Sequence, residues 1–146
     1  LIDCAVEAPS SCNKQGWRFI LIEDKEKIEK IAIIKNQMFL KRFPYIIICC
    51  FDKDVYMGLD IKETPFLDMG AAIMNLCNAA AATDLAVCWC NFTLSNVGKK
   101  RHEELRSLLN IDERLIPVSL VALGIPGKVP EKPPREGHRY YMPMDK

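Results

Sequence analysis

The apolar positions of the chain follow two kinds of pattern, one typical of strands and one typical of helices. Short runs rich in aromatic and branched residues predict strands at 17–22, 45–51, 84–92 and 116–124. The run at 45–51 has no polar alternation, which is typical of a strand buried on both faces. We therefore place that strand at the centre of the sheet.

Other stretches repeat their apolar residues at helical spacing. They predict the end of a helix at 1–8, a helix that Asp24 caps, and an amphipathic surface helix at 99–109. The segment 36–43 is compatible with a short helix. In the helix at 99–109, His102 falls among the charged residues of the outer face, which makes it a poor candidate for a catalyst.

The stretch 66–82 differs from these, because small or apolar residues occupy nearly all of its helical faces. Thr64 and Pro65 precede it, and they predict its start because threonine is able to cap a helix and proline favours the first turn. A helix without a polar face must be covered on every side. We expect this helix to lie between the sheet and a partner subunit.

The composition is that of an ordinary soluble globular protein. The 146 residues suit one domain, 1–146, in which the proline-rich stretch 125–146 is an extended tail. The formal net charge of +1 provides no basic surface for nucleic acid or membranes. The seven cysteines, an odd number and mostly inside apolar runs, and the lack of a secretory leader favour the cytoplasm.

A polar segment leads directly into the first predicted strand and is the best candidate for a ligand site. Residues 8–19 read Ala-Pro-Ser-Ser-Cys-Asn-Lys-Gln-Gly-Trp-Arg-Phe. The strand fixes the end of this loop, while its hydroxyl and amide side chains both donate and accept hydrogen bonds. Such a set suits a neutral polar heterocycle or a sugar-like chain. The alternative is a plain turn whose serine and asparagine bond only to their own backbone.

The same segment resembles the flavin-binding loop of the nitroreductase family, in which Ala-Pro-Ser is followed by Asn, Gln, Pro-Trp and Phe at matching spacing. Only the proline before the tryptophan is replaced, by Gly16. The resemblance implies an α+β fold with a central, mixed but mostly antiparallel sheet flanked by helices, in an intertwined homodimer. It also implies that the cofactor FMN contacts five loop residues: Pro9, Ser10, Ser11, Asn13 and Gln15.

Two later segments resemble this family in the same order. In the apolar helix, the family's pattern is matched by Asp68, Gly70, Ala72, Asn75, Leu76 and Ala79. The Cys-Trp segment follows, and it begins with Asp84 where the family has glycine. By resemblance this segment passes beside the flavin ring and donates a backbone amide to the flavin N5. Its candidate cofactor contacts are therefore Cys88, Trp89 and Cys90.

The phosphate of FMN is assigned by resemblance to Arg135, the basic residue that follows the last strand in the proline-rich tail. A guanidinium holds phosphate with two parallel hydrogen bonds, which makes this assignment chemically reasonable. Arg139 is the nearest substitute. The family's upstream Arg-any-Ser-any-Arg segment, which also grips the phosphate, is not in this sequence. We therefore expect an amino-terminally truncated member of the family.

The resemblance implies a flavin-dependent oxidoreductase, which takes hydride from NADH or NADPH and passes it through FMN to a nitro, quinone or similar small-molecule acceptor. Flavin chemistry requires no separate acid–base pair, because the cofactor carries the hydride. The sequence offers no convincing triad, dyad or metal cluster. We assign no catalytic side chain and no metal ligand.

Two other interpretations remain open. A nitroreductase-like subunit that binds flavin or a partner without turnover is compatible with Gly16, Asp84 and the missing phosphate segment. A cysteine-based redox or metal site is supported only by the Cys-any-Cys spacing of Cys88 and Cys90, and residues two apart on a strand are poorly placed to form a disulfide.

Overall fold

The described part of the chain is built on one four-stranded sheet. The computed structural model describes residues 1–59, 62–92, 96–128 and 131–134. Within these ranges the strands lie in the spatial order β1-β2-β4-β3. Their bounds are β1 (Trp17–Ile22), β2 (Tyr45–Asp52), β3 (Ala86–Asn91) and β4 (Leu115–Gly124). All three pairings are antiparallel, and the predicted α+β fold is confirmed.

The strand order places β2 and β4 in the interior of the sheet and leaves β1 and β3 at its edges. Ile48 of β2 lies between Ile20 of β1 and Leu120 of β4. All of β2 after Tyr45 is buried, so the prediction of a central strand is confirmed. The register between β2 and β4 shifts once, between Cys49 and Cys50.

The described residues form four α-helices and two short 3-10 helices besides the strands. The α-helices are α1 (Ile2–Val6), α2 (Lys25–Lys35), α3 (Thr64–Ala82) and α4 (Asn96–Leu109), and the 3-10 helices are Ser11–Asn13 and Met38–Arg42. The four α-helices lie where the sequence predicted them, with ends that differ by a few residues, and the ambiguous segment 36–43 contains the second 3-10 helix. Within the described ranges, no helix is both long and apolar enough to cross a membrane.

The ends of these helices show how local sequence shapes the fold. Asp24 caps α2 as predicted, since its carboxylate accepts a hydrogen bond from the Lys27 backbone N–H at 3.1 Å. The predicted cap of α3 is wrong, because Thr64 is already the first helical residue. Between α3 and β3, Asp84 has a left-handed φ of 56°. This conformation favours glycine, so the turn keeps the glycine geometry although its residue differs.

The sheet separates two apolar cores. On one face, α1 and α3 pack against side chains such as Ile47, Cys49 and Val121. On the other, α2 and α4 pack against alternate residues of the same strands, such as Ile48 and Leu120. This alternation explains why β2 shows no polar positions, because both of its faces are covered.

The proline-rich stretch is only partly described. Residues 125–128 and 131–134 belong to no helix or strand, and the rest of 125–146 lies outside the described residues.

Candidate functional site

The polar loop ahead of β1 has an unusual backbone. Cys12, Asn13 and Gln15 have φ values of 50°, 54° and 51°, in the left-handed region. Each such residue costs on the order of 1 kcal/mol, and this strain persists only where the surroundings hold it. Part of the support is internal: Ser10 Oγ accepts from the Gln15 N–H at 2.9 Å, and Gln15 Nε2 donates to Asn13 Oδ1 at 2.7 Å. The exposed amides of Asn13 and Gln15 are thus held against each other.

The strongest support for the loop comes from Asp68, in the second turn of α3. The Ser11 N–H lies 3.0 Å from both carboxylate oxygens of Asp68, and Ser11 Oγ donates to Oδ1 at 3.0 Å. Asp68 is only 5% exposed. The Ser11 hydroxyl therefore directs its proton to Asp68, and only its lone pairs remain for a ligand. The segment is more than a plain turn, because it bonds to a helix 57 positions away.

Tyr56 completes the hydrogen bonding of this carboxylate. Its hydroxyl donates to Asp68 Oδ2 at 2.9 Å, and the residue is 1% exposed. Its ring packs edge-on against Phe51, with the ring centroids 5.9 Å apart. Burial, followed by the bond to Asp68, raises the pKa of the Tyr56 phenol above its ordinary value. The phenol stays protonated at neutral pH and remains a donor.

The position of Tyr56 explains the one departure of the loop from the family pattern. A Cβ atom on Gly16 would lie 2.2 Å from Tyr56 Cε2 and 2.9 Å from Cζ. No residue with a side chain fits there unless the tyrosine ring moves. Gly16 is therefore required by Tyr56.

A buried carboxylate also fixes the point where the loop enters β1. The Asp52 N–H donates to the Gly16 carbonyl at 2.8 Å. The Asp52 carboxylate lies 3.6 Å from Nη2 of Arg18 and 3.9 Å from Nε of Arg114. Arg18 Nη1 in turn donates to the Gln15 carbonyl at 3.2 Å. Neither arginine was identified from the sequence, where nothing distinguishes them from other surface charges.

The Cys-Trp segment forms edge strand β3, and two successive side-chain hydrogen bonds hold its central tryptophan. Trp89 Nε1 donates to Ser119 Oγ at 2.9 Å, and Ser119 Oγ donates to Asn91 Oδ1 at 2.9 Å. Trp89 is 42% exposed. Beside it is a cavity of about 330 Å³, lined by Phe66, Met69, Gly70, Trp89, Asn91, Phe92, Val118 and Ser119.

The amino-terminal part of α3 brings the loop and β3 towards one another. Asp68 binds the loop, and its neighbours Met69 and Gly70 line the cavity beside Trp89. The strands β1 and β3 are three strand spacings apart, which is about 14 Å across the sheet. The polar loop and the Cys-Trp segment of β3 therefore both lie beside the first turns of α3.

The side chains of Cys88 and Cys90 lie on the opposite face of β3 from Trp89, in the second core. Their sulfur atoms are 3.8 Å apart. Burial, ahead of the effect of Cys88, raises the pKa of the Cys90 thiol to about 11, although the ammonium of Lys35 opposes this shift. Cys90 is thus an unreactive thiol at neutral pH. Among the described residues, no three His, Cys, Asp or Glu side chains are grouped to hold a metal ion.

Lys35 connects α2 to the end of β3. Its Nζ donates to the Asn91 carbonyl and lies 4.5 Å from the centroid of the Phe92 ring. Burial lowers the pKa of the Lys35 ammonium. The His102 ring also packs edge-on with the Phe92 ring, with the ring centroids 5.4 Å apart. His102 is half-buried, so its predicted place on the outer face is wrong.

The structure places the predicted cofactor contacts in two groups. One group is the strained loop, with Pro9, Ser10, Ser11, Asn13 and Gln15; the other is β3, with Cys88, Trp89 and Cys90. Arg135 lies outside the described residues. Sequence reasoning assigned no supporting role to Tyr56, Asp52 or Arg18, and it did not find the partners of Asp68.

Comparison with known proteins gives consistent results. The model of the "Nitroreductase family" matches residues 1–44 and 34–125. A predicted NADH dehydrogenase/NAD(P)H nitroreductase from Methanothermobacter thermautotrophicus is 29% identical over 135 residues, covering 89% of this chain and 65% of that protein. A protein of the same description from Archaeoglobus fulgidus is 30% identical over 128 residues, covering 86% of this chain and 70% of that protein. The chain thus spans about two thirds of the length of these curated relatives.

A solved structure shows the same fold. A predicted nitroreductase from Desulfovibrio desulfuricans, crystallised in complex with FMN, superposes with a TM-score of 0.81 at 22% sequence identity. The superposition covers 99% of this chain and 81% of that chain. Because the family model matches most of the sequence, the predicted family is confirmed: this chain belongs to the nitroreductase family.

Proposed function

We propose that this chain is the flavin-binding core of an FMN-dependent oxidoreductase that transfers hydride from NADH or NADPH to a nitro, quinone or similar small-molecule acceptor. The observation that carries the proposal is the loop from Ser10 to Gln15, which matches the family's flavin loop and is held in a strained conformation by Asp68. The names of the relatives and the FMN complex of a structural neighbour support it.

The residues around α3 fit the chemistry of FMN. Its flat ring needs apolar and aromatic surfaces, which Phe66, Met69 and Trp89 offer beside the cavity. Its polar edge and ribityl chain need neutral donors and acceptors, which the exposed amides of Asn13 and Gln15 provide. When bound, FMN accepts a hydride and passes it on.

The chain's own groups then have binding and orienting roles. Asn13, Gln15 and the Ser10 hydroxyl bond to polar atoms of the cofactor, and the backbone of β3 around Trp89 supplies an amide. The amino-terminal end of α3 carries a partial positive charge, which favours the negative charge that a flavin gains on reduction. Arg135 is proposed to hold the phosphate with its guanidinium.

We also propose that two copies of the chain pair through the outer face of α3. Leu67 is 72% exposed and Met74 is 50% exposed, and Ala71 lies between them at helical spacing. An apolar stripe of this kind is typical of a surface that another protein covers. The cytoplasm is the proposed compartment, because all seven cysteines are free in the structure.

The visible spectrum of the purified protein tests the proposed function. We expect the absorbance of bound FMN, its bleaching by NADH or NADPH without oxygen, and its return when a quinone or nitro compound is added. Bound flavin that neither nicotinamide bleaches would favour the non-catalytic subunit. A protein that stays colourless and does not quench the fluorescence of added FMN contradicts the proposal.

The loop assignment is tested with Asn13→Gly. Glycine tolerates the left-handed backbone at this position, so the change removes the amide without adding strain. We expect FMN affinity to fall about tenfold, the typical loss when a buried ligand loses one or two hydrogen bonds. Asn36→Gly is the matched control, because Asn36 has a φ of 56° at the end of α2, away from the loop. Equal flavin affinity in both variants and the wild type contradicts the assignment.

A further inference from the structure

We infer that Tyr56 and Asp68 are positioning residues, which hold the flavin loop in its binding conformation through Ser11 before any cofactor arrives. This inference rests on the proposed function, because its consequence for binding concerns FMN. Neither side chain needs to contact the cofactor. We call the bonds from Tyr56 to Asp68 and from Asp68 to Ser11 the Tyr56–Asp68–Ser11 chain.

The loop needs these hydrogen bonds because its backbone is strained. Three residues with left-handed φ occur within four positions, at Cys12, Asn13 and Gln15. None of them is glycine, so the loop on its own favours other conformations. The bonds inside the loop join Ser10, Asn13 and Gln15 to each other, so they move with the loop. Arg18 of β1 holds the carbonyl of Gln15 at the end of the loop, but it does not reach Ser11 or Cys12.

The Tyr56–Asp68–Ser11 chain connects the first half of the loop, at Ser11, to helix α3. Ser11 offers two donors to the Asp68 carboxylate, its N–H and its Oγ, each at 3.0 Å. Hydrogen bonds to a charged acceptor are stronger than neutral ones, and they strengthen further where water is excluded. Asp68 belongs to a well-packed helix, so the loop is tied to α3.

Tyr56 fixes the carboxylate itself. A carboxylate with only the two Ser11 donors on one side is free to rotate. The Tyr56 hydroxyl occupies Oδ2 at 2.9 Å, and the phenol ring is buried against Phe51. The orientation of Asp68, and through it that of Ser11, is thereby set from the core.

Gly16 shows why the loop needs the hydrogen bonds of the Tyr56–Asp68–Ser11 chain. Proline, the residue of the family pattern, fixes one backbone dihedral and stiffens a loop. The ring of Tyr56 excludes any Cβ at Gly16. The loop therefore lacks the stiffening of proline, and the Tyr56–Asp68–Ser11 chain restrains it by hydrogen bonding instead.

The test compares amide hydrogen exchange and flavin binding in Tyr56→Phe and Ser11→Ala. Tyr56→Phe removes one hydroxyl and keeps the buried ring, and Ser11→Ala removes one donor from the other end. We expect amides 10–15 to exchange about tenfold faster in flavin-free protein, while amides of β2 are unchanged. Tyr45→Phe is the control, because Tyr45 is exposed at the far end of β2.

Flavin titrations separate positioning from general stability. We expect the affinities for FMN and riboflavin to fall together, by about five- to tenfold, because the Tyr56–Asp68–Ser11 chain does not involve the phosphate. At saturating FMN, the rate of flavin reduction by NADH or NADPH in Tyr56→Phe, whose side chain contacts Asp68 and is not among the assigned flavin contacts, should return to within about twofold of the wild type. A protein that binds no flavin contradicts the proposed function, but hydrogen exchange still tests the positioning role of Tyr56 and Asp68. That role is contradicted if amides 10–15 exchange within about twofold of the wild-type rate in both variants.

Discussion

Gly16 and Tyr56 occupy adjoining space, and each limits what the other position accepts. A Cβ on Gly16 would stand 2.2 Å from Tyr56 Cε2, which is closer than real Cβ contacts come. The exchange of proline for glycine in the loop is therefore tied to a tyrosine 40 positions later in the sequence. At the scale of single residues, this departure from the family motif reflects packing, and the polar side chains of the loop are kept.

A double-mutant cycle measures this dependence. Gly16→Ala alone should lower the free energy of unfolding by about 1–3 kcal/mol, as overpacking does. In the background of Tyr56→Ala, which empties the space, the same change should cost less than about 0.5 kcal/mol. Denaturant unfolding gives all four values. Gly127→Ala is the control, since nothing lies within 4 Å of its Cβ position. Equal costs in both backgrounds would show that the ring moves aside freely.

The residues of the site were predictable only in part. The loop residues Ser10, Asn13 and Gln15 could be proposed as cofactor contacts because their order and spacing are a local pattern. The partner of Ser11 could not, because Asp68 is 57 positions away and periodicity predicts the face of a helix, not the side chain it meets. His102 was misplaced for a related reason: Phe92 covers it from another element.

At the scale of elements, α3 has two apolar faces with different environments. Its inner face, with Met69, Ile73 and Leu76, is buried in the first core. Its outer face presents Leu67 and Met74 to solvent in the single chain. The sequence predicted the whole helix and its lack of a polar face, because both are properties of one continuous stretch. It did not predict where α3 is capped, which depends on the backbone of the preceding residues.

Charges on the outer face of α3 test the proposed pairing. Leu67→Glu combined with Met74→Glu should convert a dimer into a monomer, because two carboxylates would be buried without partners in the contact. Light scattering coupled to size-exclusion chromatography gives the mass. Ile33→Glu is the matched control, as Ile33 is an exposed apolar residue on α2. A wild-type protein that is monomeric at all tested concentrations contradicts the pairing.

Considered as a whole molecule, the protein has its two cores on opposite faces of the sheet, and the second contains a group of partly buried basic side chains. Lys35 and His102 both contact the Phe92 ring, and Arg106 is close to His102. Burial, then the nearby Arg106 and Lys35, lowers the pKa of His102 below its ordinary value of 6.5. Protonation of this histidine is therefore harder in the folded protein than in the unfolded chain.

Stability should consequently depend on pH through His102. Between its lowered folded pKa and 6.5, the unfolded chain binds more protons, so the free energy of unfolding decreases as pH falls. Above pH 6.5 the stabilisation that comes from the neutral His102 is fully present. Melting temperatures across this range should fall with pH in the wild type and fall less in His102→Gln. His138→Gln, at the second of the two histidines, is the control. The same slope in wild type and His102→Gln would exclude this origin.

The exposed thiol of Cys12 has a practical consequence, because it lies inside the strained loop. Maleimide labelling or alkylation during purification will modify the loop that is proposed to bind flavin, along with the exposed Cys4 on α1. Attachment to an electrode or a sensor surface should therefore use the opposite end of the sheet, near Glu23 and Tyr45, with a chemistry that spares sulfur. Mounted in that orientation, the loop faces away from the support and stays accessible to molecules in solution.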